Sequence, residues 1–156
     1  YNRQGYEIGQ VVAHESDGRT VDGGFGITLI ALADDVEIPD GFFTHWATPT
    51  TGAVVHKYGN ITQDTEGTVT TVTVDAEYPR YSVMRSSLTA DHGDSGAPWY
   101  GDSQDGPVLY GITIGSFTSA DDTSIHGVYG FPIGPLVDYV RESANRWGAG
   151  FTPAGH

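Results

Sequence analysis

Short apolar runs alternate with polar positions along most of this chain, and glycine-rich turns close nearly every one of them. Stretches at about 6–14, 25–33, 52–58, 66–75, 79–86, 96–101, 107–115 and 126–132 carry the period-two or short continuous apolar pattern of half-buried and buried strands. Turn pairs such as Asp17-Gly18, Asp22-Gly23 and Asp105-Gly106 suit tight reversals between them. The period changes once. After Gly134, Pro135 fits a first helical position, where its missing N–H is harmless, and Leu136, Val137, Val140, Ala144 and Trp147 then recur on one face until Gly148. The pattern predicts an all-β protein with one C-terminal α-helix packed on it, followed by a frayed tail over 149–156.

The length of 156 residues suits one folded unit with a real core. The 20 acidic and 7 basic residues leave a net charge of −13, which repels phosphate backbones and anionic lipid, so nucleic acid is not an expected partner. No cysteine is present for a disulfide or thiolate site, and no apolar run approaches the ~20 residues of a membrane-spanning helix. The opening YNRQGYEIG, without a starting Met or a leader, reads as the start of a processed or truncated product. Asp34-Asp35 and Asp121-Asp122 lack the spaced oxygen ligands of a calcium loop, and no His/Asp cluster has zinc spacing. No metal or other cofactor is expected.

The chemistry concentrates in TADHGDSGAPWY, residues 89–100. Glycines on both sides of Asp94-Ser95 let the backbone turn sharply, so that two N–H groups can converge on one small volume and hold an oxyanion. The longer segment MRSSLTADHGDSGAPWY (84–100) resembles the nucleophile segment of chymotrypsin-like serine proteases, in particular their actinobacterial secreted branch. TGAVVHKYGNITQDTEGTVTTV (51–72) resembles the strand pair opening the second barrel of that branch. LYGITIGS (109–116) and HGVYGFPI (126–133) follow in the order of the two strands that wall its specificity pocket. The resemblance implies a six-stranded Greek-key barrel, complete for the second barrel and partial for the first. It divides the chain into two first-barrel strands (1–40), a connection (41–51), the second barrel with its helix (52–148) and the tail.

Carried over by position, the resemblance makes Ser95 the nucleophile and the N–H groups of Gly93 and Ser95 the oxyanion hole. Asp94 becomes structural, neutralised by Lys57, with Arg85 as the other candidate. The substrate pocket would run from Thr89 to His92, through Ile114, Gly115 and Ser116, and from Gly127 to Tyr129. With no Asp at its floor and Ser116 replacing a wall glycine, it would be shallow and suit a small or medium apolar side chain. Ala97 replaces a second glycine, a mild packing change.

The base and its orienting acid are harder to find. In the family both belong to the first barrel, and residues 6–33 resemble only its last two strands. Gly24 or Gly26 fills the acid's place, Asp22 stands two to four residues early as a substitute acid, and Ile114 replaces the serine that hydrogen-bonds this acid. His14, His56 and His126 fall on predicted strands, His45 falls in the connection, and His92 falls at the pocket rim. None suits a general base. The expected function is that of a secreted or cell-envelope serine endopeptidase acting on peptides or proteins. This chain would be its large fragment, with the histidine on a second polypeptide that completes the first barrel. The alternative is a catalytically degenerate homologue that binds or scaffolds.

Overall fold

The computed structural model describes residues 4–20, 23–36, 43, 45–118 and 126–153. Nine strands and two helices occur among them: β1 (Gly9–Thr20), β2 (Gly23–Leu32), β3 (His45–Trp46), β4 (Val54–Gly59), β5 (Gln63–Thr73), β6 (Val83–Ser86), β7 (Pro98–Gly101), β8 (Val108–Thr118), β9 (His126–Pro132), α1 (Ile133–Ser143) and α2 (Asn145–Gly148). Strands β4 to β9 hydrogen-bond in the order β8-β7-β4-β5-β6-β9, and β9 returns to β8, so six antiparallel strands close a barrel. Closure leaves no open edge in this sheet beyond the short parallel addition of β3 to β8. β1 and β2 form a separate antiparallel hairpin.

Two apolar clusters hold these parts together. Inside the barrel, Val55, Val69, Met84, Leu88, Trp99 and Val128 pack as one buried group. Trp99 satisfies its indole N–H by donating to Thr113 Oγ1 at 2.9 Å, and Thr113 Oγ1 in turn donates to the Ala97 carbonyl at 3.1 Å. Outside the barrel wall, Leu109, Phe131, Ile133, Leu136, Val137, Val140 and Ala144 form the second cluster. Ala13, Ile27 and Leu29 of the hairpin and Phe43 and Trp46 of the connection pack against it. The helix is therefore a clasp between barrel and hairpin.

Several boundaries differ from the sequence pattern for local reasons. Pro79–Tyr81 form a single 3-10 turn, because Pro79 opens it and Asp75 Oδ1 accepts the N–H groups of Glu77 and Tyr78. The strand begins only at Val83. The helix starts at Ile133, two residues before Pro135, because buried Ile133 is drawn into the outer cluster; Pro135 still lies in the first turn, where the N–H groups lack intrahelical partners. It breaks at Ala144 before the short α2. The expected fraying of the tail does not extend to Phe151, which packs on the outer cluster while its carbonyl accepts Arg141 Nε at 3.1 Å. His45–Trp46, expected as plain connection, is a short strand whose neighbour Ala47 donates to the Leu109 carbonyl.

Candidate active site

Alternation along β4 decides where Lys57 goes. Val55, Lys57 and Gly59 face inward while Val54 and Tyr58 face solvent, so a lysine is carried into the barrel by the same period that buries Val55. Lys57 is 0% exposed and Asp94 1%. Their charged ends meet, with Lys57 Nζ 3.4 Å from Asp94 Oδ2. Thr62 bridges them more tightly: Lys57 Nζ donates to Thr62 Oγ1 at 2.7 Å, and Thr62 Oγ1 donates to Asp94 Oδ2 at 2.7 Å. The backbone N–H groups of Ile61 (2.7 Å), Thr62 (3.3 Å) and Asp91 (3.1 Å) also donate to the carboxylate.

Burial alone would push the Asp94 carboxyl up. The hydrogen bonds from Thr62, Ile61 and Asp91 outweigh it and hold the group far below the usual carboxylate range. Gly59 makes room for this network, since a Cβ there would collide with the Asp94 carboxylate and with Lys57 Nζ. Lys57, Gly59, Ile61 and Thr62 thus act as one cradle, and Asp94 ties the nucleophile turn to it.

Ser95 sits on the next residue. Two consecutive turns, Asp94 N–H to the Asp91 carbonyl and Ala97 N–H to the Asp94 carbonyl, bracket it. Gly93 at φ +105° and Gly96 at φ +84° supply the left-handed backbone that such a reversal needs. Among the described residues, no backbone carbonyl accepts the N–H of Gly93 or of Ser95. Ser95 Oγ is exposed and donates to the Ile114 carbonyl at 3.4 Å, a long contact. That carbonyl is available because the β8–β9 ladder slips at Ile114, between the Thr113–Gly130 and Gly115–Tyr129 pairs.

A cleft of about 260 Å³ opens beside Ser95. His92, Ile114, Gly115, Ser116 and Tyr129 line it, and Asp91, Ala90 and Thr113 join them. The Tyr129 ring covers Gly115, where a Cβ would lie 2.9 Å from the phenol oxygen. Thr89 and Gly127 do not line it. The Thr89 carbonyl instead faces the Thr62 and Thr65 hydroxyls, and Gly127 packs under Phe117. Arg85, the other candidate for Asp94, lies with its guanidinium 5.6 Å from the Phe117 ring centre.

No histidine among the described residues hydrogen-bonds Ser95. His14 Nδ1 pairs with Thr28 Oγ1 at 3.0 Å on the hairpin, and His126 Nδ1 with Thr118 Oγ1 at 3.1 Å. His56 stacks on Tyr100 and stands 3.9 Å from the carboxylates of Glu66 and Asp102. His45 lies on β3, and His92 lines the cleft without bonding the serine. Gly24 pairs with Arg19 in the hairpin, and Asp22 lies outside the described residues. No group of three or more His, Asp or Glu among the described residues could hold a metal ion. Among the described residues, no helix is long and apolar enough to cross a membrane.

No protein-family profile and no curated protein sequence matches the chain. Solved structures do. A glutamic acid-specific serine protease that uses a histidine triad in substrate binding is 23% identical with a TM-score of 0.56, over 81% of this chain and 70% of that one. Chymotrypsin from Cellulomonas bogoriensis is 17% identical with a TM-score of 0.57, over 81% and 72%. Protease A from Thermobifida fusca is 21% identical with a TM-score of 0.55, over 86% and 76%. With its closed six-stranded barrel and C-terminal helix, the chain has the fold of the chymotrypsin-like serine proteases.

Proposed function

We propose that the chain is the larger part of a serine endopeptidase in which Ser95 forms the acyl-enzyme. The observation that carries this reading is the buried Asp94 cradle. It fixes a turn that leaves the Ser95 hydroxyl at the mouth of a cleft, with two backbone N–H groups beside it. In this reading Ser95 Oγ attacks a peptide carbonyl, the N–H groups of Gly93 and Ser95 receive the developing oxyanion, and the acyl-side residue enters the cleft. A volume of about 260 Å³ has room for one side chain rather than a larger ligand, and the preference for a small or medium apolar one rests on Ser116 in the cleft wall.

In this reading the general base comes from a second polypeptide, and the hairpin supports it. Val11, Ile30 and Leu32 lie exposed on one face of it, with Val11 61% exposed, while the opposite face packs under α1. A second polypeptide that adds strands and covers this face would complete the first barrel and carry the histidine. Export to the cell exterior or envelope fits this reading.

The alternative is a degenerate homologue that binds without turnover. Two observations favour it: Ser95 Oγ bonds a backbone carbonyl rather than an imidazole, and the glycines of β2 offer no acid to orient one, nor does Ile114 offer a hydroxyl to hold such an acid. Hydrolysis of peptide substrates by natively purified protein decides between them. Slow turnover that vanishes in Ser95→Ala supports the enzyme; turnover unchanged in that variant removes Ser95 from the mechanism.

A further inference from the structure

The β4–β5 turn brings an apolar side chain against the turn that carries Ser95. Ile61 is tied down through its N–H, which donates to Asp94 Oδ1 at 2.7 Å, so its position is set by the same carboxylate that sets Ser95. Its side chain is nevertheless 50% exposed. It lies against Gly93, where a Cβ would sit 3.0 Å from Ile61 Cγ1. Ile61 is not among the residues lining the cleft beside Ser95. The Gly93–Ser95 turn therefore has a polar-rimmed cleft beside Ser95 and, outside that cleft, a half-exposed isoleucine held against Gly93.

Resting on the hydrolase reading, we propose that Ile61 selects the leaving-group side of the substrate, favouring an apolar residue directly after the scissile bond. A peptide whose acyl-side residue fills the cleft, and whose carbonyl oxygen points at the N–H groups of Gly93 and Ser95, has to send its leaving half past Gly93. The first side chain on that half meets Ile61. Water leaves both apolar surfaces when they touch, whereas a glycine there gains nothing. Ile61 is a specificity residue in this account; it touches neither the attacking oxygen nor the oxyanion.

The test uses two peptides that differ only by Leu or Gly after the scissile bond, titrated against Ser95→Ala and against Ser95→Ala carrying Ile61→Ala or Ile61→Val. Partial burial of one Leu predicts about a five- to tenfold preference for the Leu peptide with Ile61 present. Ile61→Ala should bring the Leu peptide to the level of the Gly peptide, and Ile61→Val should keep most of the preference. Equal binding of the two peptides with Ile61 in place overturns the proposal. So does a loss in Ile61→Ala that is the same for both, since a loosened Asp94 cradle would weaken them alike. Turnover at Ser95, measured separately on the wild-type protein, judges the hydrolase reading without touching this preference.

Discussion

The barrel and the hairpin are built from the same alternating strands, yet they solve the same problem differently. In the barrel every strand from β4 to β9 has two neighbours within the barrel, and the inward faces meet around Trp99. In the hairpin two strands have only each other among the described residues, and Val11, Ile30 and Leu32 face outward. A closed sheet can therefore afford a buried charge pair, because Thr62, Gly59 and the turn backbone surround it from all sides. The open hairpin rests its inner face on α1 and leaves the other face uncovered among the described residues. Ser95 belongs to the closed part, and the proposed reading puts the missing base on the open side.

The strongest way to break this contrast is to remove one member of the cradle. Asp94→Ala or Lys57→Ala leaves an uncompensated buried charge and should lower barrel stability by about 3–5 kcal/mol, read by denaturant unfolding. Gly59→Ala should act in the same direction, since the new methyl collides with both charged groups. A loss as small as that of a surface substitution would mean that the cradle is not closed.

Hydrogen exchange sharpens the comparison next. Amides of β4 to β9 should be protected well beyond those of β1 and β2, and addition of a completing polypeptide should raise protection in the hairpin only. Ile30→Thr should leave the barrel amides unchanged and weaken that response. Equal protection in both regions of the chain alone would mean that the hairpin needs no cover.

The pH dependence gives a smaller signal of definite sign. Asp94 titrates below the ordinary carboxylate value of about 4 that it has when unfolded. Its contribution to stability is therefore complete above about pH 4 and falls away as the pH drops below it, toward the depressed folded value. Asp94→Asn should flatten this acid limb in a pH series of urea melts. The smallest effect belongs to Ser95→Ala. An exposed hydroxyl with one long hydrogen bond should change stability by no more than about 0.5 kcal/mol, so loss of activity there would report chemistry and not folding.

Most strands were legible because alternation and turns agree: Gly-Asp-rich punctuation brackets each apolar run, and the period of β4 already directs Lys57 inward beside Val55. Features created by tertiary contact were not. Thr62 reads as one more polar residue in the turn between two strands, and only the fold brings its hydroxyl between Lys57 and Asp94. The slip at Ile114, which turns a carbonyl toward Ser95, leaves no mark in the apolar pattern of β8. Asp91 falls within the expected Thr89–His92 wall, whereas Thr113 enters the cleft through bulge geometry rather than through any motif. Ile61 carries no motif, yet its N–H bonds Asp94 and its side chain lies against Gly93, one of the two proposed backbone donors.

The central claim is that this scaffold holds Ser95 as a working nucleophile once the first barrel is complete. Labelling of natively purified protein with a fluorophosphonate probe, with Ser95→Ala as control and intact mass read on the same sample, tests it most directly. The account predicts one adduct at Ser95, absent from the control, together with the mass of a second polypeptide. An unlabelled Ser95 in a sample where that second polypeptide is present would contradict it, and would leave the Asp94 cradle as the support of a binding surface alone.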